Sequence, residues 1–118
     1  MRTKEWGSSL YIIQSRITGA FKIGRSSKPE RRLKELQTGS PYELRIILVL
    51  KDQGHEELEL HRRLKRYLSQ GRMKGEWFSE PGLASLPDHI YEQLDLEVVN
   101  TWWEGERGPV EAPGPPKP

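Results

Sequence analysis

Short apolar runs with period-two alternation dominate the first fifty residues. Leu10-Tyr-Ile-Ile-Gln14 and Phe21-Lys-Ile-Gly24 are rich in aromatic and β-branched residues, and Ile17-Thr-Gly-Ala20 lies between them. The pair predicts a β-hairpin. Alternation puts Leu10 and Ile12 on one face with Tyr11 and Ile13 on the other, and it likewise separates Phe21 and Ile23 from Lys22 and Gly24. Tyr11 and Lys22 can therefore share a face. Glu43-Leu-Arg-Ile-Ile-Leu-Val-Leu50 is the most apolar stretch, and its near-continuous run predicts a strand covered on both sides, the central one of the sheet.

Between and after these strands the pattern changes to helical spacing. Ser27-Lys-Pro-Glu30 predicts an N-cap with a capping-box glutamate, and Thr38-Gly-Ser-Pro41 stops the helix after about Gln37. Leu33 and Leu36 form its buried stripe, which Arg32, four residues before Leu36, borders. A second helix is expected from about Gly54 to Leu68, with Glu57, Leu60, His61, Leu64, Tyr67 and Leu68 on one face. A carboxylate on that face costs several kcal/mol if buried alone, so Glu57 needs a partner. A divalent cation and His61, one turn on, are both able to serve. The loop Gly71-Arg-Met-Lys-Gly-Glu-Trp-Phe78 ends in two aromatics that close the core. Leu83 to Val99 predicts one further helix, broken near Pro87, and the chain from Asn100 turns to Gly, Pro and Glu around Trp102-Trp103.

These elements fit an α+β fold, a three-stranded antiparallel sheet flanked by helices, in a chain of 118 residues. The expected organisation is a lead over 1–8, one domain over 9–80, a helical extension over 81–99 and an acidic, disordered Pro/Gly-rich tail over 100–118. The chain has no cysteine, which excludes disulfides and thiolate zinc sites. No stretch approaches the roughly 18 apolar residues of a membrane span, and a cytoplasmic protein is expected. Charge is uneven. Residues 1–80 carry 17 Lys and Arg against 10 Asp and Glu, a net +7, whereas residues 81–118 carry 2 against 7, a net −5. A basic body favours a polyanionic partner such as DNA.

Four motifs in order sharpen the picture: Lys22-Ile-Gly24, Arg32-Leu-Lys-Glu-Leu-Gln-Thr-Gly-Ser-Pro41, Glu57 to His61, and Gly75-Glu-Trp-Phe78. With Tyr11 ahead of them, the set resembles the GIY-YIG endonuclease superfamily. Its nearest likeness is the compact phage and bacterial branch grouped with a meiotically up-regulated gene family. The resemblance covers about residues 9 to 80 and implies the same sheet-and-helix fold. Tyr11 matches the tyrosine of the first motif, Lys22 the position of the second tyrosine, Arg32 the arginine eight positions after Gly24, and Glu57 the metal-binding glutamate. Three departures stand out: Ser9-Leu-Tyr11 replaces Gly-Ile-Tyr, Lys22 replaces a tyrosine, and Leu36 stands where many members carry histidine.

What the resemblance implies is a metal-dependent endonuclease acting on DNA, with Tyr11, Lys22, Arg32 and Glu57 as catalytic residues and Mg2+ or Mn2+ on Glu57. Tyr11 is expected to orient or deprotonate the attacking water, with Lys22 lowering its pKa, and Arg32 to fork onto the scissile phosphate. Arg25, Lys28, Lys34 and Gln37 are the expected nucleic-acid contacts around the junction, and His61 and Glu76 its supporting groups. Glu59 and Arg63 are expected as an exposed ion pair. The alternative is a DNA-binding module of the same fold that does not cleave.

Overall fold

The structure is a computed structural model that describes residues 8–69, 76–97 and 99. Strands β1 (Ser9–Ser15) and β2 (Phe21–Ser26) precede helix α1 (Pro29–Thr38), strand β3 (Leu44–Leu50) and helix α2 (Glu57–Arg63). A 3-10 segment over Glu80–Ser85 and the short helix α3 (Asp88–Tyr91) follow. The three strands form an antiparallel sheet in the order β2-β1-β3, the α+β architecture expected from the pattern.

The hairpin closes because Gly19 takes a positive φ of 78°, which a side chain would strain. Ser15 N–H then donates to Ala20 O at 2.9 Å, and the Gln14 amide donates to Gly19 O at 2.9 Å. The central strand is β1, not the Glu43–Leu50 run. Every residue of β1 is buried, while β3 lies on an edge with Val49 40% exposed. Gln14 and Ser15 concealed this in the sequence: inside the hairpin the Gln14 amide nitrogen donates to Gly19 O, and Ser15 Oγ accepts the Thr18 N–H at 3.3 Å.

Helix α1 departs from expectation at its start. Its N-cap is Lys28, no side chain caps the first turn, and Pro29 occupies the opening position, where a missing N–H costs nothing. Ser26 Oγ, not Ser27, accepts the Lys28 N–H at 2.9 Å. The capping box does not form, since the Ser26 turn already fixes the entry into the helix. The Gly54-to-Leu68 helix is interrupted: 3-10 turns over Gly54–Glu56 and Lys65–Tyr67 flank α2, and Leu68 turns extended to bridge Phe78. The single Leu83–Val99 helix is also replaced, by the Glu80–Ser85 segment and α3, with Leu86 and Pro87 both extended between them.

Two clusters cover the two faces of the sheet. Leu10, Ile12, Phe21 and Ile23 meet Leu60, Leu64 and Phe78 on one face, joined by Leu83, Leu86, Ile90 and Leu94. Leu83, Leu86, Ile90, Leu94 and Val99 thus make this part of the chain a contributor to the main core. On the other face Tyr11, Ile13, Ala20, Leu44 and Trp77 pack with Leu33 and Leu36 of α1. Trp77 and Phe78 alternate like a strand and seal opposite faces. Phe78 also exchanges two hydrogen bonds with Phe21, of 2.8 and 2.7 Å, closing part of the free edge of β2. Among the described residues no helix is long and apolar enough to cross a membrane. The expectations for 1–7, for Trp102-Trp103 and for the tail lie outside the described residues.

Candidate active site

The register of the hairpin places Tyr11 opposite Gly24 and Ile13 opposite Lys22, so Tyr11 and Lys22 do share a face. Gly24 is there for room. A Cβ at that position would overlap Oη and Cζ of Tyr11 and lie 2.9 Å from its Cε1, so the ring lies flat against the glycine backbone. Tyr11 is nearly sealed by the cluster beneath α1, and its hydroxyl interacts with the Arg32 guanidinium. Burial pushes the phenol above its ordinary pKa, and the hydrogen bond and charge of Arg32 offset part of that.

Arg32 is also anchored by Glu35, Nη1 to Oε1 at 2.9 Å, and both contacts favour its charged form. The local ion pair and the approach to Tyr11 therefore coexist. Arg31 shares the same carboxylate at 3.8 Å and points further into solvent. Lys22 is partly buried on the same face, and burial, followed by the positive charge of Arg32, lowers its pKa, with Glu57 and Glu76 acting in the opposite sense. The expectation that Lys22 lowers the pKa of Tyr11 is corrected here. Arg32 supplies that influence, and burial outweighs it.

Helix α2 delivers Glu57 to this group from the edge of β2. His61 fixes the approach: its Nε2 lies 2.8 Å from Ile23 O and its Nδ1 2.7 Å from Glu76 Oε1. A carbonyl oxygen can only accept, so Nε2 carries a proton and donates it to the edge strand. With the ring edge-on to Phe78 at 5.2 Å, His61 pins α2 to β2 and is turned away from a ligand role. Glu57 keeps longer contacts, Oε2 to His61 Nε2 at 3.4 Å and Oε1 to Arg25 Nε at 3.8 Å. Neither is at the length of a charge-assisted hydrogen bond. The Glu57 side chain is 30% exposed, so its partial burial is answered by the Arg25 guanidinium and the His61 imidazole without saturating either oxygen.

Among the described residues no group of three or more acidic or histidine side chains is arranged to hold a metal ion. One available carboxylate nevertheless fits magnesium, which commonly takes one or two protein carboxylates and completes its octahedron with water and substrate phosphate.

The structure thus brings Tyr11, Lys22, Arg32 and Glu57 into one electrostatically coupled group, with His61 and Glu76 beside it. Arg25, Lys28 and Lys34 are exposed near the same junction. Gln37 is different: its amide donates to Tyr42 O and accepts from Leu44 N–H, both at 2.8 Å, so it braces the end of α1 against β3. The expected Glu59–Arg63 pair is replaced by Glu59–Arg62 at 2.9 Å, because Arg63 Nε reaches back to Ser85 O at 2.8 Å. Sequence reasoning missed the backbone carbonyl of Ile23, which carries no side-chain signal. It also missed why Gly24 is glycine, although counting outward from the turn gives Tyr11 opposite Gly24.

No curated protein and no solved structure matches the chain. The model of the T5orf172 domain matches residues 8–103, which takes in the whole sheet, the coupled group at its edge and the 81–99 segment that completes the core. By that match the chain belongs to the T5orf172 domain family.

Proposed function

We propose that this protein is a metal-dependent endonuclease of GIY-YIG type that hydrolyses phosphodiester bonds in DNA. The observation that carries the reading is the convergence of Tyr11, Lys22, Arg32 and Glu57 where the edge of β2 meets α1 and α2. Membership of the T5orf172 family supports a nuclease-like or DNA-binding role, and the +7 charge of residues 1–80 supports a polyanionic substrate.

Each side chain has a distinct task in this reading. Arg32, held by Glu35 on one side, presents its remaining donors to the non-bridging oxygens of the scissile phosphate. Burial raises the pKa of Tyr11 above that of an ordinary phenol, so its hydroxyl serves to orient the attacking water. Lys22, with its pKa lowered, is suited to exchange a proton with water or with the leaving oxygen. Glu57 would hold Mg2+ or Mn2+, which when bound supplies positive charge to the phosphoryl and leaving oxygens. His61 and Glu76 keep Glu57 and its helix against β2.

A second reading, a DNA-binding module without cleavage, draws on the side chains that already face Glu57, Arg25 and His61. They give the carboxylate partners that need no metal. Nicking of supercoiled plasmid with magnesium or manganese, against chelator, separates the two. Metal-dependent nicking that Glu57→Gln abolishes supports the endonuclease. DNA binding without nicking under every metal condition rejects it in favour of the module.

A further inference from the structure

From Glu57 along α2 and the turn that follows it runs an open depression of about 250 Å³, whose far side the proposed chemistry does not use. Leu58, Arg62, Lys65 and Leu68 line it, and the His61–Glu76 pair completes it. Leu58 is 66% exposed on a helix otherwise rich in charge, directly after the carboxylate of the site. The two acids of the lining are already answered, Glu76 by His61 at 2.7 Å and Glu57 by Arg25 and His61. The Lys65 ammonium forms no ion pair among the described residues, and Arg62 holds only the solvent-exposed Glu59, a contact of little strength. Cationic and apolar side chains therefore stand side by side with charge to spare.

That combination suits a nucleotide, which pairs an anionic phosphate with the apolar faces of sugar and base. Glu57 opens α2 and Lys65 opens the 3-10 turn that follows it, and both line the depression. We propose that the depression is a strand-guiding subsite. It seats a nucleotide of the bound DNA strand beyond the scissile phosphate, with a phosphate on Lys65 and Arg62 and the sugar and base edge against Leu58 and Leu68. The subsite rests on the DNA reading above and adds the direction in which the strand leaves the site, along α2.

The test is equilibrium binding of a labelled DNA duplex of about 20 base pairs, by fluorescence anisotropy in chelator over a salt series, with plasmid nicking in magnesium measured in parallel. Lys65→Gln and Leu58→Asn are compared with Arg45→Gln, a substitution at an exposed position on the opposite edge strand. Lys65→Gln should weaken binding about fivefold or more and lower the salt slope by about one phosphate contact. Leu58→Asn should weaken binding with the slope unchanged, and Arg45→Gln should stay within about twofold of wild type. If nicking occurs, Lys65→Gln should raise KM and spare kcat. Wild-type binding and nicking with Lys65→Gln no different from Arg45→Gln would overturn the subsite and leave the endonuclease intact. Binding without nicking would remove the enzyme reading, while the Lys65 and Leu58 contrast still decides the subsite. A wild type that does not bind DNA at all overturns both.

Discussion

Gly24→Ala tests whether the site is built around the approach of Tyr11 to bare backbone. The positive φ of the hairpin belongs to Gly19, so the backbone at Gly24 accepts alanine without strain. On that account alone the change should stabilise the protein, by about 0.4–1 kcal/mol, through the unfolded chain. The added Cβ, however, overlaps Oη and Cζ of Tyr11, whose ring is enclosed with Trp77, Leu33 and Leu36 and has little freedom to move. Overpacking of this kind costs about 1–3 kcal/mol. The overlap therefore outweighs the entropic gain, and the net loss should be on the order of 1–2 kcal/mol. At about 4–8 °C per kcal/mol for a domain of this size, Tm should fall by roughly 5–15 °C. Nicking should fall further, about a hundredfold, if the hydroxyl shifts by about an ångström from Arg32. The assay is a double-mutant cycle with Tyr11→Leu, followed by urea denaturation. In the Tyr11→Leu background the alanine should be neutral or stabilising, giving a coupling of about 1–3 kcal/mol. Equal costs in both backgrounds, or a Gly24→Ala protein as stable as wild type, would refute the close approach as the reason for the glycine.

Arg32→Lys keeps the charge and loses the fork, so nicking should drop more than tenfold while DNA affinity changes less; equal activity of the two proteins would sink the phosphate role. Because the folded-state pKa of Tyr11 is raised above its reference value of 10.0, its contribution is complete below about pH 10 and is lost as pH rises through the folded value. Urea melts from about pH 9 to 12 should therefore show a steeper alkaline decline in wild type than in Tyr11→Phe. The folded-state pKa of Lys22 is lowered from 10.5, so the unfolded chain binds more protons between the two values and stability should rise with pH across that window. Lys22→Met should be more stable than wild type at neutral pH and less active, with the stability difference shrinking as the lysine deprotonates. Phe78→Ala removes a fully buried ring from the main cluster and should cost about 3–5 kcal/mol in urea denaturation.

The strands, the two principal helices and the sharing of a face by Tyr11 and Lys22 were legible in the sequence. All of them follow from short-range periodicity, which side-chain direction fixes locally. Leu33 and Leu36 on α1, and Leu60 on α2 with Leu64 just after its end, likewise declare their buried faces by spacing alone. Boundaries set by competing local bonds were less legible. The sequence pointed to Ser27 as the cap, and only the path of the backbone gives the Lys28 N–H to Ser26 and leaves the first turn without a side-chain cap.

Sheet order and the assembly of the site belong to the tertiary structure. Hydrophobicity pointed to Glu43–Leu50 as the centre, yet β1 is central because it pairs on both sides, and the polar Gln14 at its end donates within its own hairpin. The same order leaves Ile23 O on a free edge, where His61 meets it and carries Glu57 alongside Lys22 and Tyr11. The sequence by itself determined which residues could do chemistry and which face of each element they occupy, because those properties depend on neighbours a few positions away. Which of them meet was decided by pairing across Ile23 and His61, 38 residues apart, a contact that no local period encodes.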